Sequence, residues 1–198
     1  MVVALLGHGT VGGGVYELLK NRSDITVKYV LDRSPIAELG AVSVTDFSTL
    51  LNDGEVDTVV EVMGGLHPAY EYVTAAMERG KHVAVEVPAA LTVADCWALV
   101  DAAERTRRHC MMLENCCYDR NEMMVMKMVR EGLFGKIVHC EGGYRHDLRS
   151  EISLGKEIRH YRLRNFMNRN CENYPTHELG PIAKILDINR GNRMLSLT

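Results

Sequence analysis

The most constraining feature of the sequence lies at its start. Val2-Val3-Ala4-Leu5-Leu6 runs straight into Gly7-His8-Gly9-Thr10-Val11-Gly12. A short apolar run that ends in glycine reads as a buried strand. Thr10 to Lys20 reads as the helix after it, with Val11, Val15, Leu18 and Leu19 on one face. The glycines have separate tasks: Gly7 permits the tight turn, Gly9 leaves the backbone open to a close-lying group, and Gly12 lets helix and strand pack together. A helix that begins in such a turn offers free N–H groups and a partial positive charge, which suits phosphate. A second strand-like run, Ile25 to Leu31, ends in Asp32, where a carboxylate can accept bonds from both hydroxyls of a ribose. Together these features predict a dinucleotide site, with Gly7, Gly9, Thr10, Val11 and Gly12 around the pyrophosphate and Asp32 at the adenosine sugar. NAD is favoured over NADP, although Arg33, beside the acid, is the group that would hold a 2′-phosphate.

The rest of the chain continues the alternation. Asp46 caps a short helix with Phe47, Leu50 and Leu51. Thr58 to Val62 is strand-like, Pro68 opens a helix to about Arg79, Gly80 ends it, and His82 to Val85 is strand-like again. Thr92 and Asp95 form a capping-box-like pair before a helix with Val93, Cys96, Trp97 and Val100 expected inward. Cys110 to Leu113 is a further strand, and a Met-rich helix follows from Asn121 to Glu131. This order predicts an α/β fold, a Rossmann-type doubly wound parallel sheet over residues 1–134. Beyond Gly135 the pattern changes. Ile137 to Arg145 reads as one long strand, 150–173 as polar and irregular, and Thr176 to Leu186 as a helix. Residues 135–198 are therefore expected to be the start of an incomplete α+β substrate domain.

Composition narrows the classes. The chain has 198 residues, 46% hydrophobic and 25% charged, with a net charge of −3. That balance gives no general pull towards nucleic acid. No apolar run approaches the roughly 18 residues of a membrane span. No basic stretch precedes the first apolar run, so it reads as a strand and not as a secretory leader, and a cytoplasmic protein is expected. Cysteines 96, 110, 116, 117, 140 and 171 then read as reduced thiols, and without CxxC spacing no metal site is expected. A homo-oligomer is compatible with all of this.

Two resemblances become visible at this point. Residues 1–83 resemble the NAD(P)-binding domain of homoserine dehydrogenases, through LGHGTVGGGV, DFSTLLNDGEVDTVVEVMGG and PAYEYVTAAMERGKHV. Residues 81–198 resemble the NAD-dependent glycoside hydrolases of the Gfo/Idh/MocA superfamily (α-N-acetylgalactosaminidase-like). The strings that carry this second likeness are GKHVAVEVPAALTVADCWALVDAAE, CMMLENCCYDR, VREGLFGKIVHCEGGYRHDLR, YRLRN and NYPTHELGPIAKILDINRG. The apparent seam falls at Gly80-Lys81-His82-Val83. Homoserine dehydrogenases carry a lysine after this strand, and many sugar-oxidising relatives have Glu-Lys-Pro. Here the string is Glu86-Val87-Pro88-Ala89-Ala90, as in the hydrolase group.

The hydrolase resemblance implies a redox-assisted mechanism. Hydride leaves C3 of a bound sugar for NAD+, the C2 proton becomes acidic, the C1 substituent is eliminated, water adds, and the hydride returns. The net reaction is hydrolysis of N-acetylhexosaminides, without the acid pair of ordinary glycosidases. It further implies that Glu86, Val87 and Asn115 line the nicotinamide side, while the homoserine dehydrogenase resemblance implies that Gly64 and Gly65 form a loop near the cofactor. Tyr144, Arg162, Tyr174 and His177 contact a small sugar substrate. His177 is the expected base, because imidazole exchanges protons near neutral pH, and Tyr174 stands three residues before it. Met63-Gly64-Gly65-Leu66-His67 replaces the group's tryptophan-bearing loop, and Glu178 replaces its glycine after YPTH. Plainer readings stand beside these. His177 also suits a helix cap or the core, Tyr144 suits packing, and Arg159, Arg162 and Arg164 suit a solvated face. Glu114 suits a backbone or cofactor bond, and Met111, Met112 and Met123 to Met128 suit core filler. The alternatives to the hydrolase are a homoserine dehydrogenase-like oxidoreductase and a non-catalytic dinucleotide-binding module.

Overall fold

A computed structural model describes residues 1–65, 67–154, 156–157 and 161–197, with the side chain of Tyr161 left aside. Arg159 and Leu66, both named above, lie outside the described residues. The chain divides into two compact units, Met1–Leu113 and the remainder from Glu114 onward.

The first unit is built on a parallel sheet. Its strands are β1 (Val2–Leu6), β2 (Thr26–Leu31), β3 (Ser43–Val44), β4 (Thr58–Glu61), β5 (His82–Glu86) and β6 (Cys110–Leu113), in the order β3-β2-β1-β4-β5-β6. The central strand β1 pairs with β2 on one side and β4 on the other, with Leu6 opposite Leu31 and Glu61. Strand order therefore reverses at the carboxyl end of β1, the place where open α/β sheets leave a crevice for ligands.

The period of two along β1 explains why both faces are covered. Ala4 and Leu6 join a large cluster with Leu31, Leu50, Val59, Val73, Met77, Val85 and Leu99. Val3 and Leu5 point the other way, with Val30, against Val15, Tyr16 and Ile25. Leu5 and Leu6 are wholly buried, and each such side chain contributes about 1.5–3 kcal/mol of transfer free energy. The covering helices of this unit are α1 (Thr10–Leu19), α2 (Phe47–Leu51), α3 (Ala69–Glu78) and α4 (Val93–Thr106). The expected caps are present. Ser48 N–H donates to Asp46, and Asp95 N–H to Thr92 Oγ1 at 3.1 Å. The ammonium of buried Lys81 donates to the Asp53 and Val56 carbonyls and pins the chain entering β4.

Several inward-facing expectations are overturned. On α4, Val93 and Trp97 are 75% and 63% exposed, and Cys96 and Val100 are exposed too. Leu99 and Ala102 face the core instead. On α1, Val11 and Leu18 are exposed, and Gly12 and Val15 face the sheet. Met111 and Met112 are exposed because β6 is the last strand of the sheet, paired only with β5. An apolar stripe fixes helical spacing but not which of two adjoining faces meets the sheet.

The second unit, taken by itself, holds α5 (Arg120–Arg130), α6 (Arg149–Ser153), α7 (Tyr161–Asn168) and α8 (Thr176–Ile185). The polar stretch read as irregular thus contains two short helices. Ile137 to Arg145 forms no ladder among the described residues; the alternation is strand-like, but no neighbouring strand takes its backbone hydrogen bonds. Met123 and Met124 on α5 are exposed and are not core filler. No helix among the described residues is long and apolar enough to cross a membrane.

Candidate functional site

In the first unit the candidate residues gather at the carboxyl ends of four adjacent strands, β2, β1, β4 and β5. Gly7 follows β1 with φ +101°, and a Cβ there would come within 2.9 Å of Met63 Cα. At Gly12 a Cβ would lie 2.1 Å from the Gly7 carbonyl oxygen, so only glycine lets α1 approach the turn. At Gly9, the residue preceding α1, a Cβ would meet nothing within 4 Å. The loop is tight where helix and strand touch and open on its outer side, next to the free N–H groups of Thr10 and Val11. A pyrophosphate fits that cradle.

Asp32, just past β2, is tied to the same turn. Its two oxygens accept from His8 N–H at 3.0 Å and Arg33 N–H at 2.7 Å. A carboxylate has about four lone-pair sites, so capacity for ribose hydroxyls remains. The Arg33 side chain is exposed. Gly64 and Gly65 follow β4 with φ +72° and +81°. Glu86 ends β5 and Val87 follows it, both half-buried.

Sequence reasoning missed Glu61. It ends β4 and is buried, and it accepts from Met63 N–H at 2.7 Å and also from Gly64 N–H. It thereby shapes the glycine loop beside the cradle. Burial pushes its carboxyl up from the ordinary value, and neighbouring Glu86 adds to that, against the lowering effect of the two N–H donors. An acid closing a buried apolar run was the available signal.

The second unit brings Tyr144, Arg162, Tyr174 and His177 together. The Tyr144 and Tyr174 ring centroids lie 4.5 and 4.6 Å from that of His177, and the two tyrosines are 5.6 Å apart. The Arg162 guanidinium, on α7, stands 5.1 Å over the Tyr174 ring. His177 is in the first turn of α8, whereas Tyr174 precedes the helix; the pair meets without sharing a helical face. Nδ1 of His177 lies 2.6 Å from Glu114 Oε1, both side chains nearly buried at 8% and 5% exposure. Asn115 begins a single 3-10 turn, Asn115–Tyr118, and its side chain is exposed and reaches Cys116 Sγ at 3.9 Å. Glu114, Cys116 and His177 are also spaced within 4.8 Å, a grouping the cysteine spacing did not signal. All six cysteines are free.

Comparison with known proteins agrees with this division. The family model Oxidoreductase family, NAD-binding Rossmann fold (Gfo/Idh/MocA) matches residues 1–114. The model for the C-terminal domain of glycosyl hydrolase 109 matches residues 118–198. An alpha-N-acetylgalactosaminidase of Bacteroides fragilis is 53% identical over 122 residues, 60% of this chain and 29% of that protein. A glycosyl hydrolase family 109 protein of Streptomyces filamentosus is 37% identical over 99% of this chain and 43% of its own length. The chain thus spans less than half the length of these curated relatives. Among solved structures, an oxidoreductase from Bacillus cereus superposes with a TM-score of 0.62 at 27% identity, over 70% of this chain and 41% of that one.

The homoserine dehydrogenase likeness is one of structure. The Staphylococcus aureus enzyme gives a TM-score of 0.50 at 30% identity over 57% of this chain and 31% of that one. The Rossmann family match over residues 1–114 runs across the junction at Gly80–Val83. The chain belongs to the Gfo/Idh/MocA oxidoreductase family with its NAD-binding Rossmann fold.

Proposed function

We propose that this chain carries the cofactor-binding part and the opening of the substrate-binding part of an NAD-dependent glycoside hydrolase that acts on N-acetylhexosaminides, α-N-acetylgalactosaminides foremost. The cluster of His177, Tyr174, Tyr144 and Arg162 beside Glu114 carries this reading. It falls within the segment matched by the glycosyl hydrolase 109 model, apart from Glu114. Residues 1–134 serve the dinucleotide and residues 135–198 the sugar.

When bound, NAD+ supplies a reversible acceptor for the hydride of C3. The chain supplies the rest. Thr10, Val11 and Gly12 hold the pyrophosphate through backbone N–H groups at the start of α1, while Gly7 keeps the turn tight and Gly9 leaves its outer side open, and Asp32 takes the adenosine ribose. Gly64, Glu86 and Val87 border the nicotinamide end, and the hydrolase resemblance assigns Asn115 the same role. His177 accepts the proton of the C3 hydroxyl, which makes transfer of the carbon-bound hydrogen as hydride possible. The Arg162 fork holds a hydroxyl or the acetamido oxygen. Tyr144 and Tyr174 present flat apolar faces to the sugar ring and hydroxyls to its edge. The six free thiols suit a cytosolic setting.

The test is incubation of the chain with p-nitrophenyl α-N-acetylgalactosaminide. Nitrophenol release is expected only with NAD+ and is lost in His177→Ala. Release without NAD+ contradicts the redox route. Nucleotide binding without release favours a dinucleotide-binding module, and oxidation of homoserine favours an amino-alcohol dehydrogenase.

A further inference from the structure

We propose that Glu114 is a positioning residue for His177, fixing the imidazole in the tautomer that leaves Nε2 as the base. The geometry comes from three elements of the second unit. Glu114 immediately precedes the 3-10 turn and caps it, since its Oε1 accepts from Cys116 N–H at 3.0 Å. The same oxygen meets Nδ1 of His177 at 2.6 Å. A carboxylate only accepts, so the proton of this short contact sits on Nδ1, and in the neutral ring Nε2 keeps its lone pair. The ring is also held by Tyr144 and Tyr174, whose centroids are 4.5 and 4.6 Å from its own.

Gly180, one turn along α8 from His177, makes the contact possible. A Cβ at that position would lie 2.6 Å from Glu114 Cγ and 3.2 Å from Cys117 Sγ. Its absence lets the buried acid lie flat against the helix that carries the histidine. The cost is visible too, since Glu114 Oε2 is buried with no hydrogen-bond partner among the described residues. A buried oxygen left unpaired is unfavourable, so the arrangement is not explained by stability alone.

Cys116 invites a metal-site reading of the same group, but the spacing argues against it. Donors on a tetrahedral ion with bonds near 2.0–2.1 Å lie about 3.3 Å apart. The separation of 2.6 Å between Oε1 and Nδ1 is that of a charge-assisted hydrogen bond.

The use made of Nε2 rests on the hydrolase reading; the tautomer does not. Long-range proton–nitrogen correlation spectra of the chain labelled with ¹⁵N-histidine read it directly, with His177 assigned from His177→Ala. The native spectrum is expected to show Nδ1 protonated and Nε2 unprotonated, and Glu114→Gln to give a mixture of tautomers. Protonation on Nε2 in the native chain overturns the proposal, as does an unchanged tautomer in Glu114→Gln. Should Glu114→Gln fail to fold, the native spectrum still decides. In NAD-dependent release, Glu114→Gln should lower kcat by about 10²–10⁴-fold with KM little changed. A change in KM alone would reduce Glu114 to a structural role. Absence of any release by the native chain counts against the hydrolase and leaves the spectroscopic result standing.

Discussion

In the first unit, β1, β2, β4 and β5 each carry buried apolar side chains, on both faces of the sheet at β1. From Glu114 onward, the buried residues among those described are Glu114 and Cys117 alone. Phe166, Met167, Leu195 and Leu197 of this second unit stay largely in solvent, and Val138 is 88% exposed. One unit is ordered by a hydrophobic core. The other arranges its candidate site with an acid–imidazole bond, ring contacts and one cation over a ring. Core packing therefore explains where the dinucleotide cradle sits, but polar and aromatic contacts explain where His177 sits.

The difference can be broken or sharpened by substitution. The largest effect is expected from Leu5→Ala, a wholly buried site, at about 2–5 kcal/mol of unfolding free energy in urea denaturation. A loss below 1 kcal/mol would mean that the sheet core is not what holds the first unit. Gly12→Ala comes next. Its added carbon would lie 2.1 Å from the Gly7 carbonyl oxygen, so about 1–3 kcal/mol of overpacking is expected, together with loss of nucleotide binding by calorimetry.

Glu61→Gln tests the buried acid at the rim of the cradle. Burial raises the folded carboxyl above its ordinary 4.5. Its contribution to stability is thus present below about pH 4.5 and is lost as pH rises through the raised folded value. The variant should gain on the native chain between pH 4.5 and neutrality in paired denaturation curves; a parallel pH dependence would show that the charge is not buried. The smallest effect is expected from Leu195→Ala, 81% exposed, within about 0.5 kcal/mol. A larger loss would reveal a core in the second unit.

The first unit was largely legible in the sequence, and for a physical reason. Gly7, Gly9 and Gly12 mark backbone positions that side chains would block, and Asp32 ends a strand whose apolar run sets its boundary. The Asp46 and Thr92 caps are local, so spacing alone reveals them. The orientation of α4 was not legible, because Val93, Trp97 and Val100 form as good a stripe as Leu99 and Ala102. Residues 137–145 show strand alternation, yet a strand also needs a partner that its own residues do not encode. His177, Tyr174, Tyr144 and Arg162 were found through family likeness. The bond from Glu114 to His177 spans 63 positions, and no periodicity reports a contact of that reach. Glu61 was visible as an acid at the end of an apolar run, but its bonds to the glycine loop were not.

Calorimetric titration of the chain with NAD+ tests the central claim most directly. Saturable one-site binding is predicted, stronger than for NADP+ and absent in Gly12→Ala at unchanged secondary structure. If neither nucleotide binds a chain that circular dichroism shows to be folded, the cradle at the end of β1 is not a cofactor site and the functional account fails with it.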